Sequence, residues 1–205
     1  MRGFCLRSMV LALCIAGTAS AATIGLTVTP NPQTAYGNGD WVLGYSFLAN
    51  SPISVVSLGV YDADGDGLAG SHDVGLWDSS GTLLASTTVP SGTGGSLNAG
   101  FRFSSIAPVV LSSGSTYYVG ATALGEGDLW LEDPLSLTPA PEITYDSRRY
   151  TSSSGSLVFP DAAGSGSTGY FGANFEFDSA AVPEPATFGI LGVGLAALAV
   201  LRRRA

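Results

Sequence analysis

Short β-prone runs dominate the chain between residues 41 and 177, and Gly, Ser, Asn, Asp or Pro interrupts them about every ten residues. No segment there keeps a helical period over a useful length. This pattern predicts an all-β fold of about ten short strands, arranged as a β-sandwich of jelly-roll or immunoglobulin-like type. It leaves the connectivity open. The predicted strands are 41–48, 53–61, 74–78, 83–89, 97–103, 109–111, 116–123, 129–131, 142–145, 157–159 and 170–177.

The first 21 residues read as a secretory signal. Arg2 and Arg7 supply the positive charge, an apolar run follows, and Ala19 and Ala21 form a small-residue cleavage site. We expect cleavage after Ala21 or the next alanine. Both cysteines of the chain fall inside this segment. The exported domain therefore has no disulfide, no catalytic thiolate and no cysteine-bound zinc.

The charge balance of the region between the two ends is strongly acidic. Residues 22–181 contain fifteen Asp and Glu, three Arg and no Lys, which gives a net charge of −12. Such a surface repels phosphate backbones, so nucleic acid is excluded as a partner. It suits an extracellular protein that binds divalent cations or neutral polymers, and charge alone does not choose between them.

The C-terminal end has the pattern of a membrane anchor. Residues 186–201 carry no charge, and as a helix they would be about 24 Å long, close to the ~30 Å hydrocarbon core of a bilayer. Arg202, Arg203 and Arg204 follow and predict a cytoplasmic end. Before the apolar run, Pro183 and Pro185 keep the chain extended and accessible.

The order of these features resembles the PEP-CTERM sorting signal. It consists of Val182, Pro183, Glu184 and Pro185, then the apolar span, then the Arg cluster at the end of the chain. The resemblance implies processing by an exosortase, a membrane enzyme of certain Gram-negative bacteria, with Pro183 to Pro185 as its recognition motif. It also implies export, transient anchoring in the inner membrane, and delivery to the cell surface or the extracellular polysaccharide matrix.

A series of short strings follows along the middle of the chain: Leu58-Gly59-Val60-Tyr61, Asp66-Gly67-Leu68, residues 71–77, residues 81–85, Phe101-Arg102-Phe103 and residues 117–121. Together they resemble a β-rich domain of unknown function that is common in PEP-CTERM proteins. The resemblance covers most of residues 41–125 and implies no activity. The domain organisation expected from both resemblances is a signal peptide at 1–21, a β-sandwich at 22–181 and the sorting signal at 182–205.

An acidic motif predicts a calcium site. Residues 62–67 read D-A-D-G-D-G, which matches the start of a calcium loop. Calcium takes six to eight oxygen ligands, so alternate acids must curl around one point. The expected ligands are Asp62, Asp64, Asp66, the Leu68 carbonyl and Asp73. The alternative is a solvated hairpin loop in which Asp and Gly serve turn geometry, and both interpretations stay open. No other cofactor is expected.

Little in the sequence favours catalysis. His72 is the single histidine, no G-x-S-x-G element is present, and Lys is absent. We therefore expect no enzyme, and the first hypothesis is a structural or adhesive surface protein. A weaker hypothesis, a glycoside hydrolase, depends on carboxylates that cluster along the chain, namely Glu126, Asp128, Glu132 and Asp133.

Aromatic residues support a second hypothesis, a calcium-stabilised carbohydrate-binding module for exopolysaccharide. Trp41, Trp77 and Trp130 could stack on sugar rings, and a core position is the alternative for each. Trp130 lies in an acidic loop region, which makes it the best candidate for an exposed platform. Alternation along its strand places Trp77 on the face opposite to Val74 and Leu76.

Overall fold

The structure is a computed structural model that describes residues 21–37, 39–125, 127–164 and 169–179. These residues form strands and one short 3₁₀ turn at Pro32–Thr34, with no α-helix among them, so the all-β prediction is confirmed. The strands are β1 (Thr23–Ile24), β2 (Leu26–Thr29), β3 (Ala35–Tyr36), β4 (Trp41–Ala49), β5 (Ile53–Tyr61), β6 (His72–Asp78), β7 (Leu83–Val89), β8 (Ser96–Asn98), β9 (Phe101–Leu111), β10 (Thr116–Ala123), β11 (Trp130–Glu132), β12 (Ser136–Pro139), β13 (Ile143–Ser152), β14 (Ala162–Ala163), β15 (Tyr170–Phe171) and β16 (Ala173–Ser179).

Two large sheets organise these strands. A five-stranded sheet has the order β1-β16-β5-β9-β8, and a six-stranded sheet has the order β14-β13-β4-β10-β6-β7. All pairs in both sheets are antiparallel. Two smaller sheets, β15-β11-β3 and β12-β2, accompany them. Several neighbours in each large sheet are distant in sequence, which is the part of the fold that local patterns do not specify.

One hydrophobic core lies between the large sheets. Phe47 of β4 stacks on Phe175 of β16, with ring centroids 4.7 Å apart, and both side chains are fully buried. Burial of one such side chain is worth roughly 1.5–3 kcal/mol. The other large core residues include Tyr45, Leu58, Leu76, Phe101, Leu111, Phe171 and Phe177. The alternating pattern therefore turns one face of each sheet towards its partner.

The outer face of the six-stranded sheet is covered by an irregular segment. Phe159 packs edge-on against Trp77 and Tyr118, at centroid distances of 6.1 and 4.9 Å. Residues 157–159 pair with no other strand in the structure, so the strand predicted there is wrong. The predicted side for Trp77 holds, since Val74 and Leu76 are core residues, but Phe159 buries its ring and removes it as a sugar platform.

A tight turn joins β6 to β7. The Asp78 carboxylate accepts hydrogen bonds from the backbone N–H groups of Ser80 and Thr82, at 2.9 and 3.0 Å. Bonds from the Ser80 hydroxyl and from these N–H groups lower the pKa of Asp78. Gly81 has φ 83°, a backbone conformation that residues other than glycine rarely adopt. Local turn chemistry thus sets the first pair of the β6–β7 ladder, Trp77 opposite Leu83, and the register shifts between Trp77 and Leu76.

Both predicted targeting segments fall outside the part of the chain that the structure describes. This applies to Ala19 of the cleavage site, the motif at 182–185, the apolar span and the terminal Arg cluster, while Ala21 is the first described residue. Within the described ranges, no helix has the length and apolar character to cross a membrane.

Candidate functional sites: an acidic loop and an aromatic cavity

The acidic motif forms a tight loop directly after β5. One carboxylate oxygen from each of Asp62, Asp64 and Asp66 lies within 4.8 Å of the others. The loop closes through a hydrogen bond of 3.2 Å from the Gly65 N–H to Asp62 Oδ1. Gly65 and Gly67 have φ values of 76° and 122°, which require glycine at these positions. The sequence therefore located three acids that the fold does bring together.

An arginine that the motif did not indicate occupies the inner side of this loop. Arg102 of β9 is 4% exposed and donates from Nε to Asp62 Oδ2. Its Nη2 donates to the Gly65 carbonyl at 2.8 Å and its Nη1 to the Gly95 carbonyl at 3.2 Å. The guanidinium thus supplies positive charge and donors to the oxygens at the first position of the predicted calcium loop.

The remaining two predicted calcium ligands are engaged elsewhere. The Leu68 carbonyl accepts from the Gly92 N–H at 2.7 Å. Asp73 lies in β6, and its Oδ1 accepts from the Thr88 hydroxyl at 2.6 Å. Among the described acids, the cluster of neighbouring carboxylates contains Asp62, Asp64 and Asp66 and does not include Asp73. The structure therefore does not assemble the expected twelve-residue loop around one point.

The exposed half of the acidic cluster carries repulsive charge. A hydrogen bond to Asp64, together with its charge, raises the pKa of Asp66 above its ordinary value. An open cavity of about 400 Å³ lies beside the loop and is lined by the three acids, Gly92 and Asp128 among others. The cluster is thus accessible on the side away from Arg102.

His72 is held on both of its ring nitrogens. Nδ1 lies 2.7 Å from the Thr122 carbonyl, and Nε2 lies 2.8 Å from Asp128 Oδ2. Both partner atoms accept hydrogen bonds, so only the doubly protonated ring makes the two bonds at once. Asp128 also accepts from the N–H groups of Ala69 and Gly70, at 2.8 and 2.9 Å. The histidine therefore ties strand β6 to strand β10 and, through Asp128, to the loops beside the acidic cavity.

Burial and hydrogen bonding act in opposite directions on Asp128. Partial burial raises the pKa of this carboxyl, and the bonds from His72, Gly70 and Ala69 together outweigh it. The pKa of Asp128 consequently lies below its ordinary value. A carboxylate with so many donors is suited to holding loops in place.

The structure corrects the prediction for Trp130. Its side chain is 8% exposed, so it is not an exposed platform. Tyr36 lies on one side at a centroid distance of 5.1 Å, and Tyr170 stands perpendicular to it at 5.6 Å. Pairing of β11 with β3 and β15 turns the ring inwards, because these short strands are added beside the main sheets.

Trp130 instead forms one wall of a cavity of about 220 Å³. The other lining residues are Trp41, Leu43, Glu132, Tyr150 and Tyr170. Tyr150 meets Tyr170 at 83° and Trp41 at 68°, so the rings present faces and edges around the opening. Trp41, Tyr150 and Tyr170 are each partly exposed. We call this group the aromatic cavity.

A buried cation supports the polar wall of the aromatic cavity. Arg148 Nη1 donates to Glu132 Oε1 at 3.1 Å, and its guanidinium lies 4.7 Å from the centre of the Tyr170 ring. The Glu132 side chain is 29% exposed and the Arg148 side chain 7%. The lining therefore presents the carboxylate, while the arginine holds that carboxylate and the tyrosine in position.

Sequence patterns could not have found the aromatic cavity. Its walls come from four strands, β4, β11, β13 and β15, that are far apart along the chain. The sequence pointed to Trp41 and Trp130 one at a time, and it did not indicate that Tyr150 and Tyr170 lie beside them. In the acidic loop the missed residue is Arg102, and its one sequence signal is that a charged residue stands between Phe101 and Phe103 in a strand of an Arg-poor domain.

Comparison with known proteins places the chain at the family level only. No curated protein and no solved structure matches it. The PEP-CTERM protein-sorting motif matches residues 181–204, which confirms the resemblance drawn from Val182 to Pro185. The chain is thus an exported, transiently membrane-anchored protein that an exosortase processes. A family model, described as a domain of unknown function, matches residues 27–172, so the chain belongs to the DUF4082 family.

Proposed function

We propose that this exported protein ends at the cell surface or in the extracellular matrix, where it acts as a non-catalytic adhesive or structural component. The domain would do so as a two-sheet β-sandwich delivered by its sorting tail. The sorting motif supports the route. The aromatic cavity is the observation that supports adhesion, since it is an accessible, preformed recess lined by Trp and Tyr side chains.

The arrangement of reactive groups supports a non-catalytic role. Both nitrogens of His72 are engaged, which leaves no ring nitrogen for proton abstraction. Residues 22–181 contain no Lys and no Cys. Four acids carry the hydrolase hypothesis. Asp128 holds loops and Glu132 pairs with Arg148. Asp133 lies in a bend at φ 51°, where its backbone carbonyl accepts from the Thr34 hydroxyl at 3.4 Å, and Glu126 lies outside the described residues. These contacts do not place two free carboxyl groups on opposite sides of a bound glycosidic bond, which is the arrangement that a glycoside hydrolase needs.

The aromatic cavity also favours a second candidate, a carbohydrate-binding module for exopolysaccharide. Faces of Trp and Tyr suit the apolar faces of sugar rings, and Glu132 can accept hydrogen bonds from hydroxyl groups. In this proposal calcium at Asp64 and Asp66 would stabilise the domain. Three neighbouring carboxylates and the raised pKa of Asp66 support calcium, and Arg102 competes with it at Asp62.

Binding to native matrix material tests the proposal. The full chain is purified in mild detergent, because its tail is apolar, and is mixed with polysaccharide extracted from the source bacterium. We expect the protein to sediment with the polysaccharide and to release no reducing sugar. Matrix location without polysaccharide binding would leave the structural role alone. Turnover that depends on Asp128 or Glu132 would overturn the non-catalytic proposal and revive the hydrolase.

A further inference from the structure

We infer that the aromatic cavity selects a single ring of a non-anionic sugar, neutral or aminated, from an extracellular glycan. This inference rests on the proposed adhesive function and adds to it the class of ligand. Four observations carry it: the size of the cavity, the angles between its rings, the charge that it presents and the charge of the surrounding domain.

The size and shape of the cavity fit one ring. Its volume of about 220 Å³ is below the ~300–1,000 Å³ usual for drug-sized ligands. Neighbouring rings meet at steep angles, 84° between Trp130 and Tyr170 and 83° between Tyr170 and Tyr150. Rings fixed edge-to-face cannot collapse onto each other, so the recess is preorganised for a flat ligand with apolar C–H faces.

The charge at the cavity wall decides the ligand class. Glu132 lines the recess, whereas Arg148 lies behind Tyr170 and does not. Oε1 of Glu132 is bonded to Arg148 Nη1, which fixes the carboxylate. A hydroxyl or an ammonium group of a sugar can donate to this carboxylate. A uronate or sulfate group would meet like charge there.

The rest of the domain reinforces this selection. Fifteen acids against three arginines in residues 22–181 create a negative field, which lowers the local concentration of anionic polymers. Two of the three arginines are buried in ion pairs, Arg102 with Asp62 and Arg148 with Glu132. Little positive charge therefore remains near the surface to attract uronic acids.

Intrinsic fluorescence and calorimetry on the full chain in detergent test the inference. The probes are a chitosan oligomer for aminated sugars, a cello-oligomer for neutral ones and an oligogalacturonate for anionic ones. Choline chloride is the fourth probe, because it is a cation without a sugar ring that aromatic side chains can bind. We expect the first two to bind and the anionic oligomer to bind at least about tenfold more weakly. Trp41→Ala and Tyr150→Ala should each weaken binding about tenfold, and Trp77→Phe, away from the cavity, should not. Unfolding midpoints establish that each variant is folded.

A charge variant separates the two sugar classes. Glu132→Gln keeps the size and an acceptor but removes the charge, so it should weaken binding of the chitosan oligomer at least about tenfold and binding of the neutral oligomer only a few-fold. An equal loss for both oligomers would contradict the part given to the charge of Glu132. Equal binding of the anionic oligomer, or binding of choline without any sugar, would overturn the inference. If none of the oligomers binds while the native polysaccharide still does, the inference about the aromatic cavity is refuted and the proposed function stands. If the native polysaccharide also fails, the adhesive function fails with it.

Discussion

Arg102 provides the sharpest test of how the acidic loop is stabilised. Arg102→Met removes the guanidinium and keeps most of the apolar stem that packs in β9. Asp62 would then remain buried, with its side chain 2% exposed and without its cation. Breaking a buried ion pair by removing one partner costs about 3–5 kcal/mol. The Gly65 and Gly95 carbonyls also lose donors, and we expect water to replace these because the loop is partly exposed.

The expected loss is therefore about 4 kcal/mol, a large share of the 5–15 kcal/mol typical of a domain. At about 2–4 °C per kcal/mol for a protein of this size, the melting temperature should fall by roughly 8–16 °C. The double variant Asp62→Asn, Arg102→Met removes both charges. It should recover about 2 kcal/mol relative to the sum of the single changes.

Urea unfolding of the full chain in mild detergent, followed by tryptophan fluorescence, measures these differences. Arg149→Met is the matched control, because it removes the same charge from a pair with Asp146 that is 3.7 Å long and partly exposed. Arg149 also donates from Nε to Ser46 Oγ at 3.2 Å and lies over the Tyr118 ring. The Ser46 hydroxyl keeps its bond to Asp146, so the cost of the control should stay at about 1–2 kcal/mol. If Arg102→Met costs no more than this control, or if the two changes at the pair are additive, the buried ion pair does not stabilise the loop.

Four further predictions follow from other contacts. Asn174→Leu should lower the free energy of unfolding by about 3–5 kcal/mol, because the buried amide bonds both backbone polar groups of Leu26 and the Tyr45 hydroxyl. The control Asn98→Ala, at an exposed position, should cost under about 0.5 kcal/mol. Equal costs for the two variants would contradict this prediction. The pKa of Asp128 is lowered in the folded protein, so its bonds stabilise the fold fully at pH values above the ordinary pKa near 4. This stabilisation is lost as the pH falls through the lower pKa of the folded state. Acid titration should therefore destabilise wild type more than Asp128→Asn, and identical acid profiles would refute the role given to these bonds. If calcium binds with the affinity usual for extracellular modules, about 10 mM should stabilise the wild type by about 1.4–2.7 kcal/mol. The double change Asp64→Asn, Asp66→Asn should abolish this stabilisation. An unfolding midpoint that responds neither to calcium nor to chelator would show that the loop does not bind calcium. Replacing Pro183, Glu184 and Pro185 by Ala should retain the chain in the membrane fraction on immunoblots, and unchanged release would contradict processing at this motif.

Local pattern was enough for the strands that alternate cleanly between firm turn signals. Residues 53–61, 83–89 and 116–123 are strands with the predicted bounds. In contrast, β9 runs unbroken from Phe101 to Leu111, although polar residues and a proline inside it suggested two separate strands. Ser105 and Pro108 are exposed, and β5 pairs with both halves of the strand across a register shift opposite residues 106–108. Tertiary pairing thus extended a strand that local composition had interrupted.

The count of strands differed for the same reason. The described residues form sixteen strands, four of them only two residues long, at β1, β3, β14 and β15. Such strands have no periodicity of their own and exist because a neighbouring strand offers hydrogen-bonding partners. Two of them, β3 and β15, turn Trp130 inwards and so convert the expected exposed platform into a cavity wall.

The acidic loop illustrates where sequence reasoning about sites must stop. A run of alternating acids predicts that something positive lies among them, because the carboxylates otherwise repel one another. It does not say whether the positive charge is an ion from solution or a side chain from a distant strand. Arg102 is forty positions from Asp62, and pairing of β5 with β9 brings it there. A cation-binding motif in a β-domain is therefore best judged after the cross-strand neighbours are known. Here those neighbours leave Asp64 and Asp66, rather than the whole motif, as the acids that face solvent.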